Sequence, residues 1–352
     1  MEAVELRSVP GLIVFDLPGA PVSAGGTRLA PDVTAAEVAM LARAMTYKFA
    51  ALGADVGGAK AGVVGDPGDR VGRAAQMARY CEEIRPLVES GRFLTGPDMG
   101  TFEEDFAPLR RQRGAINAVV DDVPFEDLLT GYGVAVGAEA GLRSLTGGGW
   151  EGRSAAIEGF GKVGGGVARE VTRRGGRVVA LSTVSGSIQA PTGLDVERLL
   201  ALRRIHGDDC IAHYGLTVAS PAQLFAAAAD VLVPGARPGA ISAQVAESLA
   251  PAVLVIAPAA NVPYTRRGAD VLRRRGIAAL PDFVCNAGAV IGYRSAVQAT
   301  PEQVLAAAAS TITGLIENAM NHGDGPLIGA CERAAGFLRS WWGEPPEPPF
   351  AG

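Results

Sequence analysis

Apolar and polar positions change their spacing several times along this chain, and each change marks an element. Leu12 to Phe15 is a short unbroken apolar run, the pattern of a strand. Thr34-Ala-Ala-Glu37 has the form of a capping box and predicts a helix to about Leu52, with Lys48 near its C-terminal end. The glycine-dense stretch Gly57 to Gly62 reads as a turn, followed by apolar Val63-Val64 and the stop Gly65-Asp66-Pro67. Lys60 is therefore expected on a loop or strand edge. A helix is expected from Arg70 to Ser90, and Arg92 to Asp98 reads as a strand entering a tight turn, which puts Asp98 at that strand's C-terminal end.

From about Thr130 the texture becomes that of alternating strands and helices. A helical pattern covers Val134 to Leu145, and Ser154 to Ile157 is a strand that meets a glycine turn. The helix after the turn runs to Arg174, Gly175-Gly176 ends it, and Arg177 to Ser182 is the next strand, completing a β-α-β unit. Apolar segments at Val231 to Val233, Val253 to Ile256 and Ile277 to Leu280 read as further strands of a parallel sheet. Thr300-Pro301-Glu302-Gln303 caps an alanine-rich helix, Leu327 to Trp342 reads as another, and the proline-rich residues 343–352 read as a loose tail.

The chain has 352 residues, 48% hydrophobic and 20% charged, which describes a folded protein and excludes a disordered one. A net charge of −5 provides no basic field, so nucleic acid is not an expected partner. The longest apolar stretches, such as Ala252 to Ala260, fall far short of the ~18 residues a membrane span needs, and the start of the chain is not signal-like. A cytoplasmic protein without a membrane partner is expected. Cys81, Cys210, Cys285 and Cys331 lie far apart, and His206, His213 and His322 form no ligand pattern, so neither a disulfide framework nor a metal site is expected. Of the 32 cationic residues only Lys48, Lys60 and Lys162 are lysines. A lysine, unlike an arginine, can lower its pKa on burial and act as a base, so each becomes a candidate for chemistry.

Gly159-Phe-Gly161-Lys162-Val163-Gly164 has the dinucleotide-binding form, between a strand and a helix. An acidic residue normally ends the following strand to bind the adenosine ribose, yet here it runs Ala180-Leu-Ser182-Thr183-Val-Ser185-Gly186. Without a carboxylate, Ser182, Thr183 or Ser185 is free to meet a 2′-phosphate. NADP is thereby permitted and slightly favoured, with NAD as the alternative.

The chain resembles the glutamate/leucine/phenylalanine/valine dehydrogenases, the NAD(P)-dependent amino acid dehydrogenases. The resemblance is carried in order by Gly25-Gly26-Thr-Arg28, Met45-Thr-Tyr-Lys48, Gly57-Gly-Ala-Lys60-Ala-Gly62 and Thr95-Gly-Pro-Asp98-Met-Gly-Thr101. It continues through Thr130-Gly-Tyr-Gly133, the glycine turn at 159–164, Ala259-Ala-Asn261-Val-Pro263 and Pro281-Asp-Phe-Val-Cys-Asn286-Ala-Gly288. By this resemblance Lys48 holds the substrate α-carboxylate, Lys60 is the catalytic lysine and Asp98 relays protons at the amino nitrogen. Gly25, Gly26 and Asn261 would contact substrate. Thr130, Asn261 and Asn286 would contact cofactor, as would Gly159, Gly161, Lys162, Val163 and Gly164; Lys162 alternatively points to solvent.

Glutamate-specific members carry a lysine immediately before the first Gly-Gly pair, where this chain has Ala24, and a serine just past Asn-Ala-Gly, where it continues Ala289-Val290-Ile-Gly292-Tyr293. An unpaired buried carboxylate is costly, so the resemblance implies oxidative deamination of an apolar or aromatic L-amino acid to its 2-oxo acid and ammonia, and the reverse. Ala24, Val290 and Tyr293 would line the side-chain pocket. The alternatives are a glutamate-type enzyme with an atypical pocket, a reductase of some other imine, or a regulatory homologue without catalysis. Retention of Lys48, Lys60 and Asp98 together argues against the last. The expected architecture is α/β: an N-terminal substrate domain over residues 1–129, then a Rossmann-type doubly wound dinucleotide-binding domain over residues 130–324. The catalytic cleft is expected between them, with the helices of residues 325–342 returning to the first domain. A homo-oligomer is the family expectation.

Overall fold

The computed structural model describes residues 1–109, 119–120, 123–296 and 298–351. The chain divides into two units, one formed by Met1–Arg113 and Arg333–Pro349, the other by Gly114–Glu332 and Phe350–Gly352.

In the first unit six strands form one sheet: β1 (Glu2–Glu5), β2 (Gly11–Phe15), β3 (Ser23–Ala24), β4 (Thr27–Ala30), β5 (Gly57–Val64) and β6 (Phe93–Leu94). β5 is the spine, antiparallel to β2 along one edge and parallel to β3 and then β4 along the other. β1 pairs antiparallel with β2, and β6 parallel with β3. Helices α1 (Ala35–Ala51) and α2 (Arg70–Glu89) cover the sheet. Strand alternation sends Ile13, Phe15, Ala59, Ala61 and Val63 toward Met77, Tyr80, Cys81 and Ile84 of α2. Val14 packs instead with Val38 and Ala42 of α1.

This arrangement corrects the expected turn at Gly57 to Gly62, because those residues are the first six of the central strand. The glycines are there for packing. A Cβ on Gly58 would sit 2.0 Å from the Ala42 carbonyl oxygen and 2.3 Å from the Thr46 nitrogen, so only glycine lets α1 lie directly on the strand. Lys60 is consequently inside the sheet, paired with Val14 and 3% exposed, rather than on an edge. Asp98 also differs from expectation: β6 ends at Leu94, and Asp98 follows in a loop fastened to β4, where Pro97 bridges to Thr27. Thr101 donates from Oγ1 to the Thr27 carbonyl at 2.9 Å and accepts there from the Asp98 N–H at 2.9 Å.

In the second unit a two-stranded pair, β7 (Val119–Val120) and β8 (Val123–Pro124), precedes helix α3 (Phe125–Thr146). α3 starts well before the expected Val134, so Thr130 to Gly133 and the 129/130 junction fall within its first turns. There follow β9 (Ser154–Glu158), α4 (Lys162–Arg173), β10 (Arg177–Thr183), β11 (Gly186–Gln189), α5 (Val196–His206) and β12 (Val231–Pro234). The rest comprises α6 (Ala243–Ser248), β13 (Val255–Ile256), α7 (Arg266–Arg274), β14 (Ala278–Ala279), α8 (Asp282–Cys285), α9 (Gly288–Tyr293) and α10 (Pro301–Met320), while α11 (Pro326–Trp341) starts in this unit and from Arg333 onward belongs to the first. The sheet order is β11-β10-β9-β12-β13-β14. Every pair is parallel except β10 with β11, an unexpected hairpin that adds an antiparallel edge strand. The order reverses between β9 and β12, and ligands of such sheets bind at the carboxyl ends of the strands flanking that switch point.

The C-terminal residues are tied down rather than loose. In the first unit, Tyr47 donates from its hydroxyl to the Pro346 carbonyl at 2.6 Å and Arg43 donates to that of Glu347 at 2.8 Å. In the second unit, the Ala351 N–H donates to the Tyr264 carbonyl at 2.9 Å.

Candidate active site

In the first unit, alternation along β5 places Lys60 on the same face as Gly58 and Gly62. Its ammonium lies 2.8 Å from Asp98 Oδ2. The Arg28 guanidinium, carried on β4, donates from Nε to that same oxygen at 3.1 Å. Arg28 is also held by the Glu37 carboxylate from the first turn of α1. The cap on α1 is therefore divided: Thr34 accepts from the Glu37 N–H at 3.2 Å while the Glu37 side chain serves Arg28. Arg28 and Glu37 were missed as site residues. Their only signal was Arg28's place two residues after the Gly25-Gly26 pair.

Two cations on one carboxylate oxygen determine the electrostatics. Burial pushes the Asp98 carboxyl up, but Lys60 and Arg28 outweigh it and hold the group well below the usual carboxylate range. Burial is also the largest influence on Lys60 and favours its neutral form; Asp98 opposes this and Arg28 adds to it, leaving the ammonium more acidic than an ordinary lysine. A lysine that releases its proton more readily, next to a carboxylate that stays ionised, is a proton-transfer pair.

Lys48 lies in the last turn of α1, 6% exposed and so not the solvated helix-end cation that its position suggests. Ala24 ends β3, half-buried, and the next two residues are packed without room for side chains. A Cβ on Gly25 would sit 1.7 Å from the Ala59 carbonyl oxygen, and one on Gly26 would sit 2.9 Å from that of Pro97. Lys60, Asp98, Arg28 and the Gly25-Gly26 pair are thus brought together.

In the second unit the turn between β9 and α4 fits a dinucleotide on three separate grounds. Gly159 has φ +84°, which side chains rarely adopt. A Cβ on Gly164 would lie 1.9 Å from the Gly159 carbonyl oxygen, so only glycine brings the helix this close to the strand. At Gly161, the N-cap of α4, a Cβ would meet nothing within 4 Å, leaving open space where a pyrophosphate approaches a helix N-terminus. Val163 is half-buried in the first turn of α4, and Lys162 is half-exposed with its ammonium 3.7 Å from Asp127 of α3.

The hydroxyls that follow are engaged within the chain. Ser182 accepts from the Gly159 N–H at 3.4 Å, and its carbonyl accepts from Phe160 at 2.8 Å. Thr183 donates to the Asp208 carbonyl at 2.7 Å, and Ser185 donates to an Asp209 carboxylate oxygen at 2.6 Å. Asn286 donates from Nδ2 to Asn261 Oδ1 at 3.0 Å and to the Ala259 carbonyl at 3.2 Å, bringing these two expected site residues together. Beside Asn261, Val262 holds φ +49°, a strained value for a β-branched residue; its N–H donates to Asp282 at 2.8 Å. Thr130 donates to the Glu126 carbonyl at 2.9 Å inside α3. Tyr293 is exposed and donates its hydroxyl to Glu126, and Val290 is half-buried on α9. Among the described residues no group of three or more His, Cys, Asp or Glu side chains could hold a metal ion, and no helix is long and apolar enough to cross a membrane.

Comparison with known proteins finds one family over both units. The Glu/Leu/Phe/Val dehydrogenase dimerisation domain matches residues 19–113, and the Glutamate/Leucine/Phenylalanine/Valine dehydrogenase model matches residues 125–322. Glutamate dehydrogenase of Aeropyrum pernix is 32% identical over 283 residues, 76% of this chain and 66% of that relative, so the chain spans just under two thirds of that relative's length. The Leu-bound form of the hetero-hexameric glutamate dehydrogenase of Thermus thermophilus superposes with a TM-score of 0.77 at 24% identity, covering 94% of this chain and 84% of that one. L-tryptophan dehydrogenase of Nostoc punctiforme gives 0.62 at 21% identity, covering 97% of each chain. At such identities the two structures establish likeness of fold. Two models of one family account in order for most of the sequence, and the chain belongs to the glutamate/leucine/phenylalanine/valine dehydrogenases, a family of amino acid dehydrogenases.

Proposed function

We propose that the protein catalyses the NAD(P)-dependent oxidative deamination of an apolar or aromatic L-amino acid to its 2-oxo acid and ammonia, and the reverse reductive amination. The observation that carries this reading is the ion pair of buried Lys60 with half-buried Asp98, its shared oxygen also held by Arg28. A nicotinamide dinucleotide bound at the 159–164 turn supplies the hydride acceptor. Lys48 holds the substrate α-carboxylate. Lys60, in its neutral form, takes a proton from the water that adds to the imine carbon. Asp98 is fixed through Oδ2 by both cations, which leaves Oδ1 to relay protons at the nitrogen that departs as ammonia.

The side-chain preference is supported by what surrounds the candidate residues. Ala24 brings no cation, and Arg28, a buried cation, already serves two carboxylates. Tyr293, in the second unit, donates its hydroxyl to Glu126 and brings no cation either. A homo-oligomer is part of the reading, supported by the match of residues 19–113 to a dimerisation domain. The test is initial-rate reduction of NAD and NADP at alkaline pH over a panel of L-amino acids. The expected result is turnover of an apolar or aromatic member with kcat/KM about a hundredfold or more above that of glutamate, because a carboxylate buried without a partner costs several kcal/mol. Preferential turnover of glutamate would overturn the substrate assignment while leaving the reaction class standing.

A further inference from the structure

The absence of an acidic residue at the end of β10 tilts the sequence reading toward NADP, but the folded chain returns a carboxylate to that place. β10 ends at Thr183 and turns through Val184 and Ser185 into β11. The 3-10 turn Gly207–Ile211, which follows α5, is fastened against this strand end at two points. Thr183 donates to the Asp208 carbonyl at 2.7 Å and accepts from the Ser185 N–H at 3.1 Å; Ser185 then donates its hydroxyl to Asp209 Oδ1 at 2.6 Å. The imidazoles of His206 and His213, stacked with centroids 3.6 Å apart, brace the two ends of the same turn. Asp208 carries its own counter-ion, Arg203, at 2.8 Å, so the charges in the turn are not equivalent.

We infer that Asp209, acting through Ser185, takes the place of the missing strand-end carboxylate and makes the site discriminate in favour of NAD(H) over NADP(H). The inference rests on the dinucleotide reading proposed above and deepens it. A ribose with free hydroxyls has both a hydroxyl and a carboxylate at the strand end to bond with. A 2′-phosphate brings about two negative charges to the same place and meets a fixed carboxylate, while Ser185, one of the hydroxyls available to it, already donates to that carboxylate. Asp209 and Ser185 are both exposed, as residues that meet an entering nucleotide must be.

The experiment is fluorescence titration of the full chain with NADH and with NADPH, which reads binding without any amino acid substrate. Wild type is expected to bind NADH about tenfold or more tightly than NADPH, since like charges at a partly solvated site repel by an amount of that order. Asp209→Asn keeps an acceptor for Ser185 and removes the charge; it is expected to tighten NADPH and narrow the ratio about tenfold. Asp208→Asn, whose charge Arg203 already offsets, is expected to leave the ratio within about threefold. Should Asp209→Asn not fold, raising salt with the wild-type chain gives the same test. Screened repulsion narrows the NADH-to-NADPH ratio, whereas attraction of the 2′-phosphate to a cation would make it widen. Equal or tighter binding of NADPH by wild type, or an unchanged ratio in Asp209→Asn, overturns this inference alone. Binding of neither nucleotide overturns it together with the dinucleotide reading.

Discussion

Asp98 Oδ2 receives Lys60 and Arg28 at once, and this shared oxygen ties the protonation of the pair to a residue outside it. Arg28 adds a positive charge that disfavours the Lys60 ammonium. Replacing it, as in Arg28→Gln, is therefore expected to raise the Lys60 pKa. In the proposed mechanism deamination needs neutral Lys60, so activity is expected to fall as pH drops through that pKa, and the acid limb of the kcat/KM profile should move to higher pH in the variant. A pH–rate series on both proteins checks this; a limb that stays in place or moves to lower pH would contradict the electrostatic account. Lys60→Ala should abolish turnover and Lys60→Arg should not restore it, because a guanidinium keeps its proton. Lys48 and Lys60 stand out in the sequence as candidates because lysine is rare here, but Arg28 was hidden among many arginines. Nothing local announces that its side chain crosses to a residue seventy positions away.

Elements show where spacing informs and where it misleads. The glycines of the β9–α4 turn were legible because the strand and helix around them were, and they now separate into different jobs. Gly164→Ala forces a Cβ to 1.9 Å from a backbone oxygen and should lower Tm by several degrees or prevent folding. Gly161→Ala meets open space and should leave Tm nearly unchanged while weakening dinucleotide binding, which calorimetry and a binding titration together would show. The glycines of β5 were misread as a turn, because glycine marks either a turn or a close approach of backbone and the sequence does not say which. Only the presence of α1, packed where a Gly58 side chain would stand, decides it. The strain at Val262 was equally invisible. Asp282→Ala would leave the Val262 N–H without its acceptor, and a loss of about 1–3 kcal/mol is expected in denaturant unfolding.

For the whole molecule, the parallel order of the second sheet was legible from apolar runs between turn signals, and the glycine-lysine motifs pointed to the family that the comparisons establish. The carboxylate at the end of β10 was not legible, since Asp209 comes from a turn twenty-four residues beyond Ser185 and meets it only through the fold. Nor were the anchors of the C-terminal residues, whose proline-rich composition suggests a free segment while Tyr47 and Tyr264 hold it. In the proposed function Lys60 and Asp98 couple removal of a hydride from an amino acid to release of its nitrogen. The most direct test measures nucleotide reduction and ammonia release together, for wild type and Lys60→Ala, with an apolar or aromatic L-amino acid. One ammonia per reduced nucleotide in the wild type, with both signals lost in the variant, is the expected result. Turnover in Lys60→Ala at the wild-type rate, or reduction without ammonia, would contradict it.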